Sequence, residues 1–171
     1  VINKPVAVLL VAVVFLLVLT GWRMDCLTLR LPDQENRIVY LIPMAPGDDF
    51  SLIYRHSVEK TLVKGVFQIS REPAILAKET WMESVGTGLP NTFFKRTRQR
   101  GGWIVVDEGL SKIENFRFFI SWVNSPVLST PSGGIDLTEF ASGTVILLGA
   151  EEISLGYQLF HRVSTLVLHL I

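Results

Sequence analysis

Phe50-Ser51-Leu52-Ile53-Tyr54-Arg55-His56-Ser57-Val58-Glu59 decides the fold class. Phe50, Leu52, Tyr54, His56 and Val58 share one parity, while Ser51, Ile53, Arg55, Ser57 and Glu59 take the other. Successive side chains of a strand point to opposite faces, so this period of two predicts a half-buried strand over 50–58. The stretch 116–123 repeats it, with Phe116, Phe118, Ile120 and Trp122 on one face. Trp103-Ile104-Val105-Val106 is apolar throughout, which suits a strand covered on both sides. Apolar runs at 26–31, 37–43, 63–70, 75–82, 103–107 and 144–148 read as further strands. Between them stand turn formers, among them Pro46-Gly47-Asp48-Asp49, Gly86-Thr87-Gly88-Leu89-Pro90, Gly101-Gly102 and Pro131-Ser132-Gly133-Gly134. Many short strands without alternating helices predict an all-β sandwich or small barrel.

Both flanks of this β-rich stretch behave differently. From Pro5 to Trp22 no side chain is charged, and a helix there would rise about 27 Å, close to the hydrocarbon thickness of a bilayer. Such a uniformly apolar helix implies membrane, and residues 1–24 are expected to form a transmembrane signal anchor. No small-residue cleavage motif follows: the exit reads Gly21-Trp22-Arg23-Met24-Asp25, so the anchor is expected to stay uncleaved. At the other end, Leu155, Leu159, Val163, Leu166 and Leu170 recur at spacings of three and four. This predicts an amphipathic helix over 154–171, which closes a β-rich domain of 25–171. His161, Arg162 and His169 make it a poor span, so it is expected to pack on the sheet or lie along a membrane surface.

Composition narrows the function. The 171 residues balance 16 basic against 16 acidic side chains, which argues against nucleic acid as a general partner. One cysteine excludes an internal disulfide framework. The three histidines and the acidic pairs lack ligand spacing, so no metal and no cofactor are expected. The densest chemical cluster is His56-Ser57-Val58-Glu59-Lys60-Thr61. In a continuous strand His56 and Ser57 diverge, whereas a nucleophile and its base must converge. His56 is therefore expected to be a buried structural residue whose loss costs about 1–3 kcal/mol. Contact with a ligand or partner through His56, Ser57, Glu59 and Lys60 is the alternative, and a hydrolase using His56 and Ser57 the remote one. Gly86 and Gly88 sit in a turn whose backbone N–H groups offer a site for a small anion. Lys95-Arg96-Thr97-Arg98-Gln99-Arg100 reads as a solvated loop, with Lys95, Arg96, Arg98 and Arg100 available to a partner or to lipid headgroups.

The string from Phe50 to Thr61, followed by Ser84-Val85-Gly86-Thr87-Gly88-Leu89-Pro90, resembles the bacterial and archaeal domain-of-unknown-function 1850 family. The resemblance implies a small membrane-anchored protein, often encoded beside TAXI-class TRAP solute transporters. It tilts the β-rich domain towards the extracytoplasmic side of a single-pass cell-membrane protein. The expected function is a non-catalytic accessory or interaction protein with transporter subunits as possible partners. The alternative is an extracytoplasmic module that binds a small organic anion.

Overall fold

A computed structural model describes the backbone of residues 3–84 and 96–168, and side chains as far as residue 161. It opens with α1 (Lys4–Gly21), started by Pro5 in the first turn and closed by the Trp22 N–H donating to the Val18 carbonyl at 3.0 Å. None of its residues is buried, and it is long and apolar enough to cross a membrane. Eleven strands follow among the described residues: β1 (Arg23–Leu31), β2 (Arg37–Pro43), β3 (Asp49–Arg55), β4 (Leu62–Ile69), β5 (Ile75–Met82), β6 (Thr97–Arg100), β7 (Trp103–Ile113), β8 (Phe116–Phe119), β9 (Val127–Thr130), β10 (Gly133–Asp136) and β11 (Val145–Ser154). A 3-10 turn (Leu137–Glu139) precedes β11, and α2 (Leu155–Leu168) follows it.

The strands form two antiparallel sheets, as the sandwich expectation requires. One has the order β2-β1-β11-β8, the other β10-β9-β3-β4-β5-β7-β6. Leu27, Leu29, Ile146 and Leu148 of the smaller sheet face Phe50, Leu52, Ile69 and Leu128 of the larger, and all are buried in one core. Aromatic rings stitch the layers together: Phe67 lies 4.6 Å from Phe116 and Tyr54 lies 5.2 Å from Phe118, centroid to centroid. These pairs align the sheets, so Arg55 of β3 and Phe119 of β8 lie towards the same end. That end is opposite α1, because β1 leaves α1 at Arg23 and β11 pairs Ser154 with it, while Val145 of β11 pairs with Phe119.

Several expected boundaries move for local reasons. The strand expected over 50–58 stops at Arg55, because His56 begins a tight loop. The strand expected over 116–123 stops at Phe119. There Asn124 folds the chain back: its Oδ1 accepts from the Ser121 N–H at 3.0 Å and its Nδ2 donates to the Phe119 carbonyl at 2.8 Å. Trp122 consequently leaves the face of Phe116 and Phe118 and stands 83% exposed. The basic run expected as a loop instead contains β6, paired to β7 with Arg100 opposite Trp103. Gly101 and Gly102 make that two-residue connection possible, since both have positive φ, 56° and 84°. Val105 and Val106 are both buried, as their unbroken apolar run implies.

The C-terminal helix begins where expected. Ser154 Oγ accepts from the Tyr157 N–H at 3.4 Å, the position of an N-cap. Its first two turns pack on the smaller sheet. Gln158 is buried there with Nε2 3.5 Å from Cys26 Sγ, and His161 Nε2 meets the Ile38 carbonyl at 3.1 Å.

Candidate functional site

The loop joining β3 to β4 carries the His56 cluster. The Lys60 N–H donates to the His56 carbonyl at 2.9 Å, and the His56 N–H to the Thr61 carbonyl at 2.8 Å. Lys60 takes a left-handed φ of 58°, and the Arg55 guanidinium reaches back to its carbonyl at 2.5 Å. His56 Nδ1 accepts from the Glu59 N–H at 3.3 Å. That contact uses the lone pair on Nδ1 and leaves the proton of a neutral ring on Nε2. Ser57 is exposed, and among the described residues no hydrogen bond joins it to His56. The loop shape thus comes from a histidine acting as a turn brace, in place of the core residue anticipated from alternation.

This correction changes an expected result. His56 is only partly buried, so His56→Ala should lower stability by about 1 kcal/mol or less, the typical worth of one hydrogen bond. A urea melt measures it. A loss of 3 kcal/mol, roughly that of a buried polar network, would restore the core reading.

Beside this loop stands a second one. The Arg55 N–H donates to the Asn124 carbonyl at 2.7 Å, which ties the Trp122 turn to the root of the His56 loop. Trp122 and Val58, the latter 68% exposed, therefore project from neighbouring loops at the end opposite α1. Trp122 was expected inside the sheet, and period-two reading alone could not find it. The signal lay in Ser121-Trp122-Val123-Asn124, whose flanking Ser and Asn close the turn.

Farther across the larger sheet, the outer surface of β4–β7 gathers aromatic and charged groups. Lys64 Nζ lies 5.8 Å and the Arg100 guanidinium 5.5 Å from the Trp81 ring centroid, within cation–π range. Trp81 Nε1 donates to Glu79 Oε2 at 2.7 Å, and Arg98 Nη2 to Glu79 Oε1 at 2.5 Å. Trp103 meets Trp81 edge-on at 6.3 Å. Arg96 is exposed, and its carbonyl accepts from the Asp107 N–H. Of the basic residues expected to act together, Arg98 and Arg100 share one strand face. Lys95, Gly86 and Gly88 lie outside the described residues. Trp81, Trp103, Lys64 and Glu79 were not anticipated; the alternation in Lys78-Glu79-Thr80-Trp81 was the available sign.

Two shallow grooves lie elsewhere. One, of about 380 Å³, is lined by Arg23, Arg30, Ile38, Glu152, Ile153, Ser154 and Tyr157, and the other borders Leu31 and Thr144. Among the described residues no three His, Cys, Asp or Glu side chains gather as metal ligands would. Tyr40 is the most displaced phenol: burial, then the hydrogen bond to Glu139 at 2.5 Å and the charge of that carboxylate, push it up to about 12. It stays protonated and serves as a donor linking β2 to the 3-10 turn.

A family model described as Domain of unknown function (DUF1850) matches residues 50–137. That range starts in β3 and runs through the 3-10 turn's first residue, so it takes in nearly all of the larger sheet together with β8. No curated protein and no solved structure matches the chain.

Proposed function

Because the chain belongs to the DUF1850 family, we propose that it is a membrane-anchored accessory protein that docks on a TRAP-type solute transporter of the TAXI class. The β-rich domain stands on the extracytoplasmic side, held by α1. The observation carrying this reading is the pair of exposed apolar side chains, Trp122 and Val58, on hydrogen-bonded neighbouring loops at the end opposite α1. An exposed tryptophan beside a second apolar group is a usual centre of a protein contact, and charged groups around it supply orientation. Arg98 and Arg100, on the exposed edge strand β6 at the far side of the larger sheet, are a separate charged feature available to the same partner.

Trp122→Ala is the sharpest test, since an 83% exposed side chain contributes little to folding. The melting transition should move by no more than about 0.5 kcal/mol, as surface substitutions do. Recovery of transporter subunits from native membranes should fall by at least tenfold, on the scale of an interface hot spot of roughly 2 kcal/mol. Deletion of the protein should impair uptake by the neighbouring transporter. Wild-type uptake in the deletion strain, with no transporter subunit recovered on pull-down, would sink the proposal.

The cation–aromatic patch favours a second reading, a module for a small organic anion held by Lys64, Arg98 and Arg100 around Trp81. Arg100→Glu should then abolish anion binding measured by calorimetry while Trp122→Ala leaves it intact.

A further inference from the structure

Leu155 and Gly156 fix where α2 begins. The Leu155 N–H donates to the Trp22 carbonyl at 2.9 Å, and a Cβ on Gly156 would sit 3.2 Å from the Leu19 carbonyl oxygen. Leu19 belongs to the last turn of α1, whose 18 residues span about 27 Å, close to the bilayer's hydrocarbon thickness. If α1 crosses a membrane, the first turn of α2 is held at the depth where hydrocarbon gives way to headgroups.

The rest of the described helix is sorted to match. Gln158 and His161 face the smaller sheet. Leu159 and Phe160 are turned from it, 47% and 70% exposed, and Phe160 lies one helical turn beyond Gly156, on the side where α1 touches. Groups suited to headgroups ring the same place: Trp22 is exposed at the end of α1, and Arg23, Ser154 and Tyr157 line the shallow groove beside it. We propose that the start of α2 is a membrane-interface segment. It presses Leu159 and Phe160 into the upper acyl region and gives the domain a second attachment next to α1. The occupant of this apolar surface is the lipid bilayer, because continuity with α1 places it there.

This inference rests on α1 crossing the membrane and is independent of the transporter partner. The test uses the full chain with Cys26 replaced by Ser, reconstituted in vesicles of phosphatidylcholine and phosphatidylglycerol. A nitroxide is attached in turn at Leu159→Cys, Phe160→Cys, Leu10→Cys and Val58→Cys. Collisions with oxygen, which concentrates in lipid, are compared with those of a water-soluble nickel chelate. Positions 159 and 160 should resemble Leu10, with oxygen collisions several-fold more frequent, while Val58 shows the reverse. All four substituted side chains are exposed, so labelling does not disturb the core; far-UV circular dichroism checks the fold of the Cys26→Ser background. Water-type collisions at 159 and 160 with lipid-type ones at Leu10 would overturn the interface segment alone. Water-type collisions at Leu10 as well would overturn the anchor with it. Protection of 159 and 160 from both reagents would mean a protein surface covers them, and would also overturn the proposal.

Discussion

Phe50→Ala should lower the stability of the domain by about 4 kcal/mol, in the upper range for emptying an aromatic core site. Phe50 is 2% exposed, and its ring lies 5.2 Å from Phe67, which in turn packs 4.6 Å from Phe116 of the opposite sheet. These three rings are a continuous column between the layers. The column cannot close over the gap easily, because Phe67 is already seated over Gly65, where any Cβ would collide with its ring. The cost of a cavity depends on how far its walls can collapse, so a braced neighbour predicts a large value. Urea denaturation checks it: the midpoint should fall with an unchanged slope, since the surface exposed on unfolding is nearly the same. Gly65→Ala should be destabilising as well, by about 1–3 kcal/mol, as overpacking usually is. A loss below about 1 kcal/mol for Phe50→Ala would show that Phe67 moves freely after all.

Arg30→Ala should cost about 2–3 kcal/mol at neutral pH, in the range for a hydrogen-bonded charged group that loses its partner. Glu151 Oε1 accepts from Thr28 Oγ1 and from Arg30 Nε, both at 2.9 Å, and Oε2 accepts from Arg30 Nη2 at 2.6 Å. Burial opposes ionisation of this carboxyl, but the hydrogen bonds from Arg30 and Thr28 and the charge of Arg30 outweigh it. They hold the group below its ordinary value of 4.5. A carboxyl lowered on folding stabilises the fold above its unfolded value, and that contribution is lost as the pH falls through the lowered one. The gap between wild type and Arg30→Ala should therefore be widest at neutral pH and narrow below 4.5. Urea midpoints taken from pH 7 downwards measure it. A gap independent of pH would mean that Arg30 acts by packing alone.

The strands were legible wherever apolar residues alternate against a solvated face. Ile75–Met82 and Arg37–Pro43 stand at the boundaries the sequence predicts, and the sandwich follows from their number. Two of the misses share one physical origin. Side-chain-to-backbone hydrogen bonds end β3 and β8 early, and these compete with the sheet without altering the apolar pattern. β6 is the converse case: Thr97-Arg98-Gln99-Arg100 has no apolar side chain, and only its neighbour β7 makes it a strand. The short strands β9 and β10 flank Pro131-Ser132, and β10 begins with the glycine pair that the sequence reads as part of the turn. In the candidate site, the basic run was visible as charge, but its partners Trp81 and Lys64 come from strands far away in sequence, and pairing register brings them together.

The β1–β11 ladder also sets an order of events during synthesis. Thr28 and Glu151 are separated by 123 positions, yet they are neighbours across adjacent strands. Segments leave the ribosome in sequence order, so β1 emerges early and waits for almost the whole domain before its partner exists. Strands β3 to β7 of the larger sheet can pair meanwhile with partners close in sequence, while β1 and β2 await β11. Closure therefore depends on the strand pairing most distant in sequence among the described residues, the kind of pairing that folds slowly and leaves unpaired edges exposed. Among the described strands, the last one made is the one that seals the sandwich.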